Sequence, residues 1–438
     1  MTRIAFPALC FAVLLSAAPA SAEDAKPDIA ALTKKAEAGD VAAERDLGIA
    51  YHNGTGVEEN DEKAFQWLNK AANAADAEAR AELADLYYWG DGVDQDRAEA
   101  LLLWREAAEQ GNAKGQNGLA WTYDQGEGMA HDAAEAQKWY RLAVAQNYAP
   151  AMNNLGLMYD NGDAVPADKA AAVKLYQQSA DLGNAYGQYL LGTMYEDGTG
   201  VPQDLNRAIS LYKAAAEKEQ DGALNRLGEM AEDGVGQPKD LDLALGYFKR
   251  GAAIWNPQAL ASMGRFSYFG YAEKVDKGDA FKWFARAAMR DSAVGQRNLG
   301  IMYRFGEFLP TDTDQAMKWL RKASDQGDSA AQYELGEMYF KGEGVKADYV
   351  EARKWLTLSA NGGDGDGQYN LGKMYENALG VKQDQVEALK WYILSADQDN
   401  ADAKTAAARL RKGMSIFDTG KAAAAAKAFK PSQQTPAS

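Results

Sequence analysis

The feature that most constrains the fold of this chain is a period of 36 residues. A large apolar residue recurs at this spacing ten times without a slip, and we call it the anchor of each repeat. The next residue is always Gly or Ala, and the residue four positions after the anchor is Tyr in eight copies. Such spacing forms one stripe on an α-helix, and a fixed period over ten copies indicates stacked helical repeats. The anchors of repeats one to ten are Leu47, Leu83, Leu119, Leu155, Leu191, Leu227, Met263, Leu299, Leu335 and Leu371.

A second helix is predicted in each repeat. An Asp, or Asn60 in repeat one, stands where a helix N-cap is needed, and an Ala always follows four residues later. A bulky pair then follows at three and four residues after this Ala, and a small pair at seven and eight, which is the spacing of one helix face. Residues 64–72 show the pattern, with Trp67-Leu68 and Ala71-Ala72. A Gly-rich loop such as 53–57 separates the two helices. A Gly inside a helix costs about 1 kcal/mol relative to Ala, so the small residue after the anchor indicates a close helix–helix crossing.

These motifs resemble the Sel-1-like repeat, a relative of the tetratricopeptide repeat. The resemblance is carried by the A-x-x-x-L-G-x-x-Y core (as in 151–159), the G-x-G-V loop, the Asp cap and the A-x-x-W-[LY]-x-x-A-A second helix. It covers about residues 40–399. It implies an all-α fold, a right-handed superhelical α/α solenoid of about ten 36-residue helix-loop-helix repeats that binds proteins or peptides. Exported bacterial members of this family resemble adaptors, envelope regulators and host-contact factors.

The N-terminus has the pattern of a secretory signal peptide. A basic Arg3, a mostly apolar run over 4–15 and small residues up to Ala22 predict a signal at 1–22, cleaved after Ala22. The apolar run is shorter than the ~20 residues of a membrane span, so no integral membrane segment is expected. We therefore expect a periplasmic protein, or alternatively a secreted one. The remaining boundaries are predicted as an N-terminal capping helix (23–39), ten repeats (40–399), C-terminal capping helices (400–430) and a disordered tail (431–438).

Composition excludes several classes of function. Lys and Arg number 47 against 63 Asp and Glu, a net charge of −16, which argues against nucleic acid as a partner. Cys10 is the only cysteine, and His52 and His131 are the only histidines, so a disulfide scaffold, a Cys₂His₂ zinc site and a Cys–His nucleophile are excluded. The Gly-x-Gly loops lack the Lys-Ser/Thr of a phosphate-binding loop. We expect no catalytic residues, no cofactor and no metal, and therefore no enzyme.

The candidate binding site lies where the repeat pattern leaves residues free. In tetratricopeptide-like superhelices the first helix of each pair lines a concave groove. The positions that map to this groove are acidic in the middle repeats but basic and aromatic from repeat seven onward. Phe269, Phe305, Phe340 and Lys341 are among the residues that map there. Arg and Tyr are favoured in binding hot spots. The candidate partner-binding residues are Arg265, Tyr268, Arg297, Asn298, Arg304, Tyr333, Tyr369, Asn370 and Lys373.

Other interpretations remain open at this point. Some of these aromatic residues could instead pack under the irregular loops of repeats seven and eight. A smaller aromatic cluster comprises Tyr88, Trp89 and Trp121. The leading hypothesis is an exported, non-enzymatic scaffold that binds a partner protein or peptide through an acidic or extended segment. The alternative is a glycan- or peptidoglycan-binding envelope protein. A cell-wall or β-lactam hydrolase is less favoured, because we find neither a nucleophile nor a base.

Overall fold

The computed structural model describes residues 28–162, 166–271 and 274–432, and within these ranges it contains 23 α-helices and no strand. The predicted signal peptide at 1–22 and residues 433–438 of the predicted tail lie outside the described residues. The all-α prediction is confirmed. The helices are α1 (Ile29–Glu37), α2 (Val41–Asn53), α3 (Asp61–Asn73), α4 (Ala77–Trp89), α5 (Arg97–Glu109), α6 (Ala113–Gln125), α7 (Ala133–Val144), α8 (Ala149–Asn161), α9 (Lys169–Asp181), α10 (Ala185–Asp197), α11 (Leu205–Ala216), α12 (Asp221–Asp233), α13 (Leu241–Ala253), α14 (Pro257–Phe269), α15 (Lys277–Met289), α16 (Ala293–Phe305), α17 (Thr313–Asp325), α18 (Ser329–Lys341), α19 (Tyr349–Asn361), α20 (Gly365–Glu376), α21 (Gln385–Ala396), α22 (Ala401–Gly413) and α23 (Ile416–Ala428).

Ten helix pairs, from α2 with α3 to α20 with α21, form the repeats, and repeat nine shows how the sequence folds each one. Asp328 caps α18, because its carboxylate accepts a hydrogen bond of 2.8 Å from the amide of Ala331. The helix ends at Gly342, whose φ of 77° lies in the left-handed region. After the loop, Asp348 caps α19 through the amides of Val350 and Glu351. The predicted Asp caps and glycine stops are thus confirmed.

The small residue after each anchor marks a close crossing of the two helices in a pair. A Cβ atom added to Gly192 would lie 2.6 Å from Cε1 of Tyr212 on the second helix. The anchor Leu191 and Tyr212 are both fully buried beside it. The crossing therefore leaves no room for a large side chain, as the repeated Gly predicts.

The described chain divides into two compact units, one ending at Leu227 and the other starting at Gly228. Within each unit the two helices of a pair pack together, and the second helix packs against the first helix of the next pair. First helices also lie against one another, α4 against α6 in one unit, and α14 against α16 and α18 against α20 in the other. Side chains on the first helices of successive repeats can therefore meet.

Helices also lie beyond the ten pairs. α1 packs against α2, and α21 packs against both α22 and α23. After α23, the amide of Ser432 donates a hydrogen bond of 2.8 Å to the carbonyl of Asn361. No helix in the described ranges has the length and apolar character needed to cross a membrane.

Candidate partner-binding site

The candidate residues lie on α14, α16, α18 and α20, the first helices of repeats seven to ten, all in the second unit. We call this surface the first-helix wall. Equivalent positions on these helices are brought together because each first helix packs against the next one. The wall consists of Arg265, Tyr268, Phe269, Arg297, Asn298, Arg304, Phe305, Tyr333, Phe340, Lys341, Tyr369, Asn370 and Lys373.

Arg304 is buried within the wall and bound by three glutamates of repeat nine. Its Nε lies 2.7 Å from Glu343 and its Nη2 lies 3.0 Å from Glu337, while Nη1 is bonded to Glu334. Burial by itself lowers the pKa of the guanidinium, but the glutamates outweigh it and raise that pKa above its ordinary value. We expected this side chain to be exposed to a ligand, yet the residue is only 4% exposed. The reason is that the three carboxylates come from the neighbouring repeat.

Arg265 and Arg297 also bind carboxylates of an adjacent repeat. The guanidinium of Arg265 makes two bonds to Glu232, of 2.6 and 2.8 Å. Arg297 donates a bond of 2.8 Å to Asp328, the residue that caps α18. All three arginines of the wall are therefore ion-paired within the chain, and the wall is closer to neutral than we expected from its arginines alone.

Two phenylalanines are the most exposed large side chains of the wall. Phe269 is 55% exposed and Phe305 is 57% exposed, and they occupy equivalent positions in repeats seven and eight. The ring of Phe269 lies between Tyr268, at a centroid distance of 4.9 Å, and Tyr271, at 5.4 Å. Arg304 Cζ lies 4.9 Å from the ring centroid of Phe305. Phe308, in the loop of repeat eight, is similarly exposed (51%) although its ring lies 5.6 Å from that of Phe281.

Most of the remaining wall residues lie at repeats nine and ten and are less exposed than the two phenylalanines. Lys373 lies over two rings, 5.3 Å from that of Tyr369 and 5.7 Å from that of Phe340. Burial raises the pKa of the Tyr333 phenol, and the negative charge of the nearby Glu337 adds to the effect. Asn298 of repeat eight donates a hydrogen bond of 2.8 Å to the carbonyl of Val294 in its own helix, and Asn370 is half-buried. Lys341 pairs with Glu337 at 2.7 Å.

The cluster at Tyr88 has a counterpart in the wall that sequence reasoning missed. The Tyr88 hydroxyl donates a hydrogen bond of 2.8 Å to the carboxylate of Glu127, and Arg97 Cζ lies 5.2 Å from the Tyr88 ring centroid. Five repeats later the same positions carry Tyr268, Lys277 and Glu307. Lys277 lies 4.9 Å from the Tyr268 ring centroid and 2.9 Å from Glu307.

The signal for this duplication is readable in the sequence. Only repeats two and seven place Tyr and then another aromatic residue at the fifth and sixth positions after the anchor, as Tyr88-Trp89 and Tyr268-Phe269. In the structure Trp121 joins the first of these clusters, 5.2 Å from Tyr88, and Trp89 is 46% exposed.

The two histidines of the described residues lie in different repeats. In repeat one, His52 Nδ1 lies 2.7 Å from the carboxylate of Asp61. In repeat three, His131 Nδ1 lies 2.6 Å from the backbone carbonyl of Asp124. In the ranges that the structure describes, no three His, Cys, Asp or Glu side chains come together as a metal site would require. The chemistry available at the wall is hydrogen bonding, ion pairing and aromatic contact.

Comparison with known proteins identifies the repeats. The Sel1 repeat model matches residues 41–76, 77–112, 113–148, 149–184, 185–219, 222–253, 257–292, 293–328, 329–364 and 365–400. No curated protein matches the chain.

Two crystal structures are similar over much of their length. One is a protective antigen present in uropathogenic Escherichia coli strains and displaying an SLR fold, with 31% identity, coverage of 91% of this chain and 85% of that one, and a TM-score of 0.61. The other is a Sel1 repeat protein from Oxalobacter formigenes, with 32% identity, coverage of 58% and 98%, and a TM-score of 0.52. The chain therefore belongs to the Sel1 repeat family, whose solenoids are generally non-catalytic and bind partner proteins.

Proposed function

We propose that this chain is an exported, non-enzymatic scaffold whose first-helix wall binds a partner protein or peptide in the cell envelope. The observation that carries the proposal is the exposure of Phe269 and Phe305 at equivalent positions of adjacent repeats. Large aromatic side chains grouped on a surface are typical of protein-binding sites, because covering them removes apolar area from water.

The ion pairs around these rings give the wall its second property. Arg265 and Arg297 are fixed by bonds to the neighbouring repeat, so less side-chain entropy is lost when a partner binds. Their side chains are still 39% and 25% exposed and can donate further hydrogen bonds. The wall thus combines exposed apolar rings with charged side chains, and protein interfaces contain both.

The proposed location is the periplasm, with secretion as the alternative, and it depends on residues 1–22. Export predicts that the mature chain begins at Glu23. N-terminal sequencing of protein recovered from the periplasmic and culture fractions tests this. A chain recovered only from the cytoplasm, with residues 1–22 retained, contradicts the proposal.

The binding surface is tested with a pair of variants and a matched control. Phe269→Ser with Phe305→Ser removes both exposed rings and replaces no buried side chain. Met289→Ser changes an exposed apolar residue (76%) on a second helix instead. We expect the unaltered chain and Met289→Ser to retain the same envelope proteins after crosslinking, and the double variant to lose them. Hydrogen exchange should show protection of α14 and α16 in the complex. Protection elsewhere, or equal capture by all three proteins, contradicts the site.

The alternative function is binding of cell-wall glycan. It is favoured by the exposed ring of Trp89, 4.8 Å from Tyr88, since aromatic faces stack on sugar rings. The same capture experiment separates the two functions. The glycan function is favoured if the chain retains soluble peptidoglycan fragments and no protein, and if the Trp89→Ser variant loses this retention.

A further inference from the structure

A cavity of the second unit lies between α13, α14 and α15. Its volume is about 270 Å³, and its lining includes Trp255, Trp283, Leu260, Arg286 and Lys249. None of these residues belongs to the wall, so a ligand here would be separate from the partner of the proposed function.

Trp255 stands at a position where the backbone disfavours it. It occupies the turn after the second helix of repeat six, with a φ of 62° in the left-handed region. In every repeat this turn position has positive φ, and four of the ten repeats place Gly there, such as Gly111 and Gly183. A bulky side chain is strained in this conformation, and the indole is also 50% exposed. Neither backbone preference nor core packing explains a tryptophan here, and such outliers concentrate at binding sites.

Two arginines accompany the two indoles. Arg290 Cζ lies 5.2 Å from the Trp255 ring centroid, and Arg286 Cζ lies 4.8 Å from that of Trp283. Both arginines are exposed, and neither forms an ion pair in the part of the chain that the structure describes. This differs from the wall, where each arginine is bound to a carboxylate of the chain. In a chain of net charge −16, the pair is a local positive site.

We propose that this cavity is a binding site for an acidic peptide segment. Trp255, Trp283 and Leu260 form an apolar lining that accepts an aliphatic or aromatic side chain. Arg286 and Arg290 bind carboxylates that flank this side chain, since a guanidinium offers five donors and pairs with a carboxylate through two parallel hydrogen bonds. Charge complementarity determines the choice of an acidic ligand.

A flat anionic membrane fits the geometry less well. Ile254 and Met289 are exposed nearby, as a membrane-binding surface would require. However, a recessed cavity serves an inserted side chain rather than a plane of lipid headgroups. The membrane is therefore an outcome that the experiment must separate.

Fluorescence anisotropy with the purified full chain tests the proposal. The probes are a labelled Glu-Glu-Phe-Glu-Glu peptide and the matched Gln-Gln-Phe-Gln-Gln peptide. We expect the acidic peptide to bind at least tenfold more tightly. Arg286→Gln with Arg290→Gln should abolish this difference while leaving the circular dichroism spectrum unchanged. Equal affinity of the two peptides, or an unaffected double variant, overturns the proposal.

The strained tryptophan gives a second readout that loss of folding cannot mimic. Trp255→Gly should weaken binding of the acidic peptide at least tenfold and at the same time raise the melting temperature, because Gly accepts the left-handed backbone. Ala75→Gly, at the same turn position of repeat one (φ 68°), should leave peptide affinity unchanged. Undiminished binding by Trp255→Gly overturns the site. Phosphatidylglycerol vesicles test the membrane. If the chain sediments with the vesicles but binds no peptide, and the double arginine variant no longer sediments with them, the ligand is a membrane surface and the peptide proposal is wrong.

Discussion

The hydroxyl of Tyr212 donates a hydrogen bond of 2.8 Å to the carboxylate of Glu196 and thereby ties the second helix of repeat five to the last turn of its first helix. Arg226 of the next repeat binds the same carboxylate, with Nε 2.9 Å from both oxygens. Repeat ten contains the same arrangement, in which the Tyr392 hydroxyl donates a hydrogen bond of 2.7 Å to the carboxylate of Glu376. Arg409 of α22 binds Glu376 as well, so one carboxylate joins three helices in each case.

Replacing Glu196 by Gln should destabilise the chain in a pH-dependent way. Burial by itself raises the pKa of Glu196, but the hydrogen bonds from Arg226 and Tyr212 outweigh it and hold that pKa below its ordinary value. A carboxyl with a lowered folded pKa contributes stability above its unfolded pKa of about 4.3 and loses it as the pH falls through the folded pKa. We expect Glu196→Gln to lose roughly 1–2 kcal/mol at pH 7, since a charged hydrogen bond to a partly exposed arginine is removed.

Thermal melts from pH 7 down to pH 3 measure this effect. The difference between the unaltered chain and Glu196→Gln should shrink below about pH 4, where the native carboxyl is also protonated. Glu376→Gln is the matched variant and should behave alike, because hydrogen bonds from Arg409 and Tyr392 likewise outweigh burial and lower the pKa of Glu376. A difference that stays constant across the pH range would show that the charge of Glu196 is not what stabilises the crossing.

Deleting one whole repeat should leave a folded protein. Each repeat contacts mainly its neighbours, so removal of residues 149–184 joins repeat three to repeat five at an equivalent interface. We expect a helical circular dichroism spectrum and a cooperative melt. Deletion of 149–166 removes half a period and places two second helices in succession, which should abolish cooperative melting. Identical melts for both deletions contradict the repeat architecture.

The substitution Gly192→Leu tests the helix crossing. A Cβ atom there would already lie 2.6 Å from the fully buried ring of Tyr212. Overpacking of this kind costs about 1–3 kcal/mol. Gly246→Leu is the matched control, since Gly246 is also helical but has no heavy atom within 4 Å of its Cβ position. The control should be neutral or gain up to about 1 kcal/mol, because Gly is a poor helix former. Urea unfolding measures the free energy of unfolding of both variants. Equal values for the two would contradict a close crossing at Gly192.

The positions of helices, caps and crossings could be predicted from the sequence because they depend on residues within one repeat. Asp348 stands at the N-cap of α19, where the 36-residue pattern requires a cap, and Gly192 stands one residue after its anchor. These choices reflect backbone geometry and local packing, which recur identically in each copy. Helix boundaries and core residues follow from them.

The pairing of side chains between repeats could not be predicted in the same way. The repeat pattern shows that Arg304 is not an internal core residue, but not which side chain of repeat nine lies opposite it. Its partners Glu334 and Glu343 are 30 and 39 residues further along the chain. The left-handed backbone of Trp255 was equally hidden, because a turn position shows its strain only once its φ angle is known.

Arg304 provides the last prediction. The substitution Arg304→Met removes the cation that Glu334, Glu337 and Glu343 share, and leaves beside them only the half-exposed Lys341, 2.7 Å from Glu337. Breaking a buried pair from one side costs about 3–5 kcal/mol, and we expect about 3 kcal/mol because the glutamates remain partly solvated. Arg297→Met, which loses a single bond to Asp328 from a side chain that is 25% exposed, should lose about 1 kcal/mol. Urea unfolding at pH 7 measures both losses.

The pH dependence of the Arg304→Met deficit separates the electrostatic cause from a packing defect. Burial already raises the pKa of Glu334, and Arg304 opposes that rise. Without the arginine, the folded pKa of Glu334 rises further above its unfolded value. The resulting loss of stability is therefore largest at neutral pH, and it is relieved as the pH falls through the raised folded pKa and Glu334 becomes protonated. The deficit of Arg304→Met should accordingly be smaller at pH 4.5 than at pH 7. A deficit that is equal at both values would mean that the methylene groups of Arg304 stabilise the wall and its charge does not.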